Sequence, residues 1–412
     1  MTATTIAPTI EQVAPGVTTR VKAGDLQVPQ KGLLALGALA LVATLAGMFL
    51  SEGESKRHAF HAYLVAYMFT LSLGLGSLFF VMVQQITRAG WSVVVRRTTE
   101  NFMAVLFPWM AILFVPIALG IHELYEWTHE DVVAKDELLT GKSGYLNPTF
   151  FFVRAVVYFV VWGGLATFFR RTSLKQDQTG DATLSLKMAR VAAPGLLLFA
   201  LTVTAAAIDW MMSLAPHWFS TMFGLIYFGG SVMTTMAMLI VVFSWLRTKG
   251  YLGQVITQEH YHDLGKLLFA FMVFWAYTSF SQYMLIWYAN LPEETEWYQH
   301  RTHGGWQPIF VTLAIGHFLL PFGMLMSRNV KRHRLGLVVG AVLLIAMHWL
   351  DMQFQIMPGL HEHGMHVSWI DATALIGVLG LFLGLALKNV ISAPLIPERD
   401  PRLAESLHFH NV

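Results

Sequence analysis

The 412-residue chain is 55% hydrophobic and only 13% charged, with a formal net charge of +2 and a mean hydropathy of +0.53. Soluble domains carry roughly a quarter charged residues, so there is too little charge here to clothe a water-facing surface and too little net positive charge for nucleic acid binding. With no cysteine, the chain can hold no cysteine-ligated iron-sulfur cluster, no thioether-linked haem and no disulfide.

Residues 1–31 form a polar, Thr/Pro/Val-rich tail without the charged start, apolar middle and cleavage site of a removable signal, so the first helix is expected to direct insertion. A hydrocarbon core about 30 Å thick needs roughly 20 apolar residues per crossing helix. Ten such stretches follow in the sequence: α1 at 32–50, α2 at 59–86, α3 at 102–121, α4 at 148–170, α5 at 188–213, α6 at 217–246, α7 at 266–290, α8 at 305–327, α9 at 334–352 and α10 at 369–391. The fold class this predicts is an all-α integral membrane protein.

Lys and Arg set the predicted orientation. With the amino end inside, the cytoplasmic segments hold Arg20, Lys22 and Lys31, then Arg88, Arg96 and Arg97, then Arg170, Arg171, Lys175, Lys187 and Arg190, and the later inner loops continue the pattern. The outer loops hold only Lys56, Arg57, Lys135, Lys142 and Arg301. Both termini are therefore expected in the cytoplasm, and the outer loops are acidic and rich in histidine, including His361, His363 and His366. That last group lies in a loop with little carboxylate company, and solvated histidines are the expectation there rather than a metal.

An internal repeat is visible. Pro148 to Phe150 and then Gly163 in α4 match Pro308 to Phe310 and then Gly323 in α8 at identical spacing, and the Asp209 end of α5 matches the Asp351 end of α9. Helices α2–α5 and α6–α9 thus read as two parallel four-helix bundles, with α1 and α10 as peripheral additions. The predicted division is a tail (1–31), a peripheral region with α1 (32–58), a first bundle (59–214), a second bundle (215–352), a histidine-rich loop with α10 (353–391) and a second tail (392–412).

Ionisable groups at membrane depth cost at least about 2.5 kcal/mol each, so they mark places that face partners or water. The candidates are Arg154, Asp209, His317, His348, Asp351 and Asp371, with His61, His122, Glu126, His217 and Gln282 as weaker ones. His348 and Asp351, three apart, share a helix face, as do His122 and Glu126, four apart. An Arg with carboxylates and imidazoles suits proton handling next to a quinol, which releases two protons on oxidation. Arg154 and Asp209 alternatively neutralise each other for stability alone. His317 is expected to bond a neighbouring helix carbonyl or hydroxyl, and its depth is expected to differ from that of His348, which argues against a shared b-type haem. Trp275 and Tyr277 either pack between helices or line a slot for a flat ring.

Two long stretches carry a resemblance. One runs from Ala207 through Asp209, Trp210, Ser213, Pro216, His217 and Trp218 to Gly224; the other runs from Phe274 through Tyr277, Phe280, Gln282, Tyr283, Trp287 and Pro292 to Glu294. Both resemble the second large membrane subunit of bacterial alternative complex III, a quinol:electron-acceptor oxidoreductase, in a family similar to the NrfD-like membrane subunits of polysulfide and nitrite reductases. The resemblance implies paired four-helix bundles in the bacterial inner membrane. It also implies a scaffold with a proton path, beside a related NrfD-like membrane subunit that is usually regarded as the quinol site. Haem c and iron-sulfur clusters would belong to partner subunits, with quinone in the complex, smaller membrane subunits and lipid around it, and no cofactor or metal in this chain. A direct quinol-binding subunit, or an ion-coupled secondary transporter with charges at the midplane, are the alternatives.

Overall fold

The computed structural model describes residue 7 and residues 9–410; residues 1–6, 8, 411 and 412 of the two tails lie outside the described residues. Among the described residues ten helices are long and apolar enough to cross a membrane: α1 Gln27–Leu50, α2 Gly53–Ile86, α3 Gly90–Leu119, α4 Pro148–Thr179, α5 Thr183–Leu214, α6 Phe223–Thr248, α7 Gln258–Ala289, α8 Gln307–Met326, α9 Arg334–Gly359 and α10 Trp369–Ser392. Among the described residues there is no β-strand, only an isolated bridge between Gly305 and Gly364. Helix is the form hydrocarbon enforces, because each backbone N–H and C=O must find its partner within the segment. The chain is a multi-pass membrane protein.

The helices alternate between two faces. The histidine-rich face carries the connections after α1, α3, α5, α7 and α9, and the basic face carries the others. Helices α2 and α6 form the centre: 94% of the apolar window of α2 and 78% of that of α6 is buried inside the protein, against 22% for α8. The two touch along their length, with Thr235 Oγ1 of α6 donating to Leu73 O of α2 and Tyr227 Oη donating to Met68 O. Side chains on the rim, such as Leu39, Val153, Val160, Leu201 and Phe280, point outward and are exposed, the pattern of a lipid-facing surface.

Several boundaries differ from the sequence expectation. Helix α2 begins at Gly53 and so includes His58. Helix α3 begins at Gly90 and is interrupted at Leu106–Met110, where Phe107 takes extended angles (φ −135°, ψ 133°) ahead of Pro108. A residue before proline is pushed out of the helical region, and proline lacks the N–H that would continue the ladder. Helix α6 begins only at Phe223, leaving His217 in the preceding connection. Helix α1 lies at the edge with 28% of its window buried, whereas α10, at 56%, is wedged against α1, α2 and α3 instead of being peripheral.

Helices α1 and α10 meet through glycines. A Cβ on Gly37 would stand 2.7 Å from Leu381 N, and one on Gly377 would stand 2.9 Å from Leu41 N, so the two backbones are in direct contact. Gly37→Val is expected to destabilise the chain by about 1–3 kcal/mol through overpacking, read as a lower melting midpoint in detergent. An unchanged midpoint would mean that the two helices are free to move apart.

Candidate functional site

The polar residues at depth fall into four groups. In the first, Arg154 of α4 donates from Nε to Asp209 Oδ2 at 2.7 Å and from Nη2 to Asp209 Oδ1 at 3.1 Å, while Tyr158 Oη donates to the same carboxylate at 2.6 Å. The remaining guanidinium nitrogen donates to Tyr145 O at 2.9 Å, and the guanidinium carbon lies 3.9 Å from the Tyr145 ring centre and 4.4 Å from that of Phe150. Both side chains are buried, and Arg154 engages Asp209 in bidentate fashion.

The second group centres on Asp351 in α9. Its Oδ2 accepts from Trp275 Nε1 at 3.0 Å and its Oδ1 from Gln355 Nε2 at 3.2 Å. One turn away, His348 Nε2 lies 3.2 Å from Ser72 Oγ. Ser72 gives its own proton to Phe69 O, so Oγ accepts from the imidazole and Nδ1 of His348 is left without a partner. His317, in a π-helical stretch of α8 (Leu313–Leu319), stacks on Trp275 with ring centres 3.7 Å apart. Among the described residues neither of its nitrogens has a hydrogen-bond partner, contrary to the expected carbonyl or hydroxyl bond; the ring packs on Trp275 instead. His317 and His348 also come closer than the expected difference in depth suggested: their rings lie 6.4 Å apart. Trp275 packs on one ring and Phe69 on the other, so the pair is part of the packed interior.

Asp351 also borders a cavity of about 420 Å³ between α7, α8 and α9. Its walls are aromatic (Trp275, Tyr283, Tyr298, Phe310 and Phe354), its polar atoms come from Asp351, Gln355, Gln282, Tyr298 and Ser279, and Asp351 is the only carboxylate among the lining residues. Tyr277, Phe280 and Leu319 on its rim are exposed, so it abuts the lipid-facing side. Gln282 accepts from Ser220 Oγ at 2.6 Å and donates to Tyr298 Oη at 2.9 Å. Burial pushes the Tyr298 phenol above its ordinary pKa, keeping it a proton donor. Beside the cavity Arg301, buried, stacks on Trp297 at 3.6 Å and donates to Phe354 O, Gln355 O and Trp297 O, capping the carbonyl end of α9.

The third group lies at the histidine-rich face, where Asp371 Oδ2 accepts from His58 Nε2 at 3.0 Å and from Ser368 N at 2.8 Å. The fourth lies on the basic face. Arg96 pairs with Glu100 at 3.2 Å and Asp400 at 2.6 Å, and Arg97 pairs with Glu100 at 3.0 Å and Asp177 at 2.7 Å, all buried. Arg96 and Arg97 therefore do more than mark topology, and buried charge is not confined to the opposite half.

The weaker candidates stand apart from these groups. His61 Nδ1 bonds Arg57 O one turn back. His122 and Glu126 do not share a helix face, since the helix ends at Leu124 and Tyr125 is extended; His122 bonds Thr128 Oγ1 instead. His217 pairs at the surface with Asp136, whose carboxyl is held below its ordinary pKa by the Leu139 N–H and then by His217. Sequence reasoning missed His58, Arg301 and Glu100. Only Glu100 had a local signal, its spacing of four and three from Arg96 and Arg97.

Neither the protein-family models nor the curated proteins compared with the chain give a match.

Proposed function

We propose that the chain is a membrane subunit of a quinol:electron-acceptor oxidoreductase of the alternative complex III type in a bacterial inner membrane, both termini cytoplasmic, and that quinol reaches this subunit directly. The observation that carries the quinol part is the aromatic cavity of about 420 Å³, which borders lipid and ends on Asp351. Ligand clefts of this kind combine apolar walls with a few convergent polar groups. A quinol entering from lipid would stack on Trp275 and Tyr283 and present a hydroxyl to Asp351. Oxidation yields quinone, two electrons and two protons. One proton passes to the Asp351 carboxylate and moves on toward the histidine-rich face, after which Asp351 takes the second; the two electrons leave to an iron-sulfur or haem c centre held by partner subunits, since this chain has no cysteine to hold its own.

The central placing of α2 and α6, each the first helix of its half, is in keeping with two parallel four-helix units, α2–α5 and α6–α9. Within this reading Asp351, with His348 and His317 beside it, begins the proton path. Arg154 and Asp209 saturate one another and serve stability. The same saturation speaks against a secondary transporter, which keeps its charges available at a midplane site.

The test is a photoreactive quinone analogue applied to native membranes, with mass spectrometry of the labelled chain. Labelling of α7 and α8 near Trp275 and Tyr283, competed by native quinol, is expected, as is co-purification with multihaem, iron-sulfur and NrfD-like partners. Isolation of the chain alone, unlabelled and active in ion-coupled uptake, would reject the proposal.

A further inference from the structure

At the histidine-rich face, three imidazoles from segments far apart in sequence converge on one point. His58 comes from the first turns of α2, and His361 and His366 from the loop between α9 and α10; one ring nitrogen from each lies within 4.8 Å of the others. His58 Nδ1 and His361 Nε2 are 2.8 Å apart, and the His366 ring centre is 5.3 Å from those of both. The three border a cavity of about 360 Å³ together with Glu54 and Ser368.

We propose that this cluster is a binding site for a divalent transition cation of the zinc type, with His58 Nδ1, His361 Nε2 and one nitrogen of His366 as ligands. The hydrogen-bond pattern around the rings favours this chemistry. Asp371 takes the Nε2 proton of His58 at 3.0 Å, which leaves Nδ1 as a lone pair aimed at the cluster. That is the carboxylate–histidine–metal arrangement in which a second carboxylate layer fixes the tautomer. Asp371 is itself held by Ser368 N at 2.8 Å and Gln353 Nε2 at 3.3 Å. His361 Nδ1 lies 3.6 Å from Glu54 Oε1, and the nearby carboxylate charge favours a proton on Nδ1 when Nε2 ligates. In the metal-free state His361 Nε2 carries the proton shared with His58; the cation takes its place and that proton moves to Nδ1, with none released.

The loop is pinned where it matters: Trp306 Nε1 donates to His361 O at 2.6 Å and Gly305 N to His363 O at 3.2 Å. Three nitrogens around zinc at about 2.0–2.1 Å would stand roughly 3.3 Å apart, a closure within reach of rotation of the loop-borne His366. The open cavity leaves a fourth position for water or Glu54. Occupied, the site would staple the end of α2 to the loop and, through Asp371, to α10.

The experiment uses the full chain purified in detergent on an affinity tag without histidine, stripped with a chelator, then titrated with Zn²⁺ by calorimetry and with Co²⁺ by visible absorption. One equivalent is expected to bind, with the intense bands of four-coordinate cobalt, and to raise the melting midpoint. His361→Ala and His366→Ala, both in the loop, are expected to weaken binding at least about tenfold and to remove the rise in midpoint on adding metal. His363→Ala, exposed on the same loop, should bind like the parent. Absence of saturable binding to the parent, binding that survives both loop substitutions, or equal loss in His363→Ala would overturn the proposal.

Discussion

Arg154→Met is expected to be the most damaging single substitution in α4 and α5. It strands the Asp209 carboxylate, buried, with phenol hydroxyls such as that of Tyr158 facing it but no cation. Breaking a buried pair from one side costs about 3–5 kcal/mol, a large fraction of the stability of most folds. The expected result is a sharp loss of the folded chain from membranes and a lowered melting midpoint in what remains. Removing both charges, as Arg154→Met with Asp209→Leu, should recover much of that loss, because an apolar pair has no desolvation to repay. A second arm separates stability from chemistry. Asp209→Asn keeps the side-chain volume and still accepts from Arg154, so quinol turnover per assembled complex should stay at the parental level. A fall in turnover at normal assembly would return Asp209 to the proton path.

The contrast between these groups explains what the sequence could and could not convey. Ten spans are legible because hydrocarbon thickness sets a minimum apolar length, and that requirement is local. Span ends are less legible, since α2 and α7 continue past their apolar stretches as ordinary helix. Arg154 and Asp209 stand out because a charge at depth must have a partner, and each is the nearest candidate for the other. Arg301 gives no such signal: it sits in a loop by hydropathy, and only folding brings Trp297 and the α9 carbonyls around it. His58 is hidden for the same reason, its partners His361 and Asp371 lying some three hundred residues further on. His363, which looked equivalent to its neighbours in sequence, is not one of the three imidazoles that converge, and the loop turns beside it at Gly364 with φ of 142°. Paired charges near one another in sequence mislead in the opposite direction: Arg96 and Arg97 read as loop cations, yet they are locked to Glu100, Asp177 and Asp400.

The second large effect is expected at Asp351. Asp351→Asn preserves shape and leaves Oδ1 to accept from Trp275 Nε1, now 3.0 Å from the carboxylate, so the packing between α7 and α9 should survive. What the substitution removes is the cavity's only group able to take a proton as a base near neutral pH, since Gln282, Gln355 and the buried Tyr298 phenol cannot. General-base contributions are worth roughly 10²–10⁴-fold, so quinol turnover in assembled complex should fall by about a hundredfold or more. Quinone-analogue labelling should persist, because the aromatic walls that hold the ring are intact. Trp275→Leu should show the reverse pattern: weaker labelling and a raised apparent KM for quinol, with kcat less affected, since it takes away binding surface and not the base. If Asp351→Asn turned over quinol like the parent while Trp275→Leu left labelling untouched, the cavity would be a lipid-filled gap between helices, and quinol oxidation would take place wholly in the neighbouring subunits.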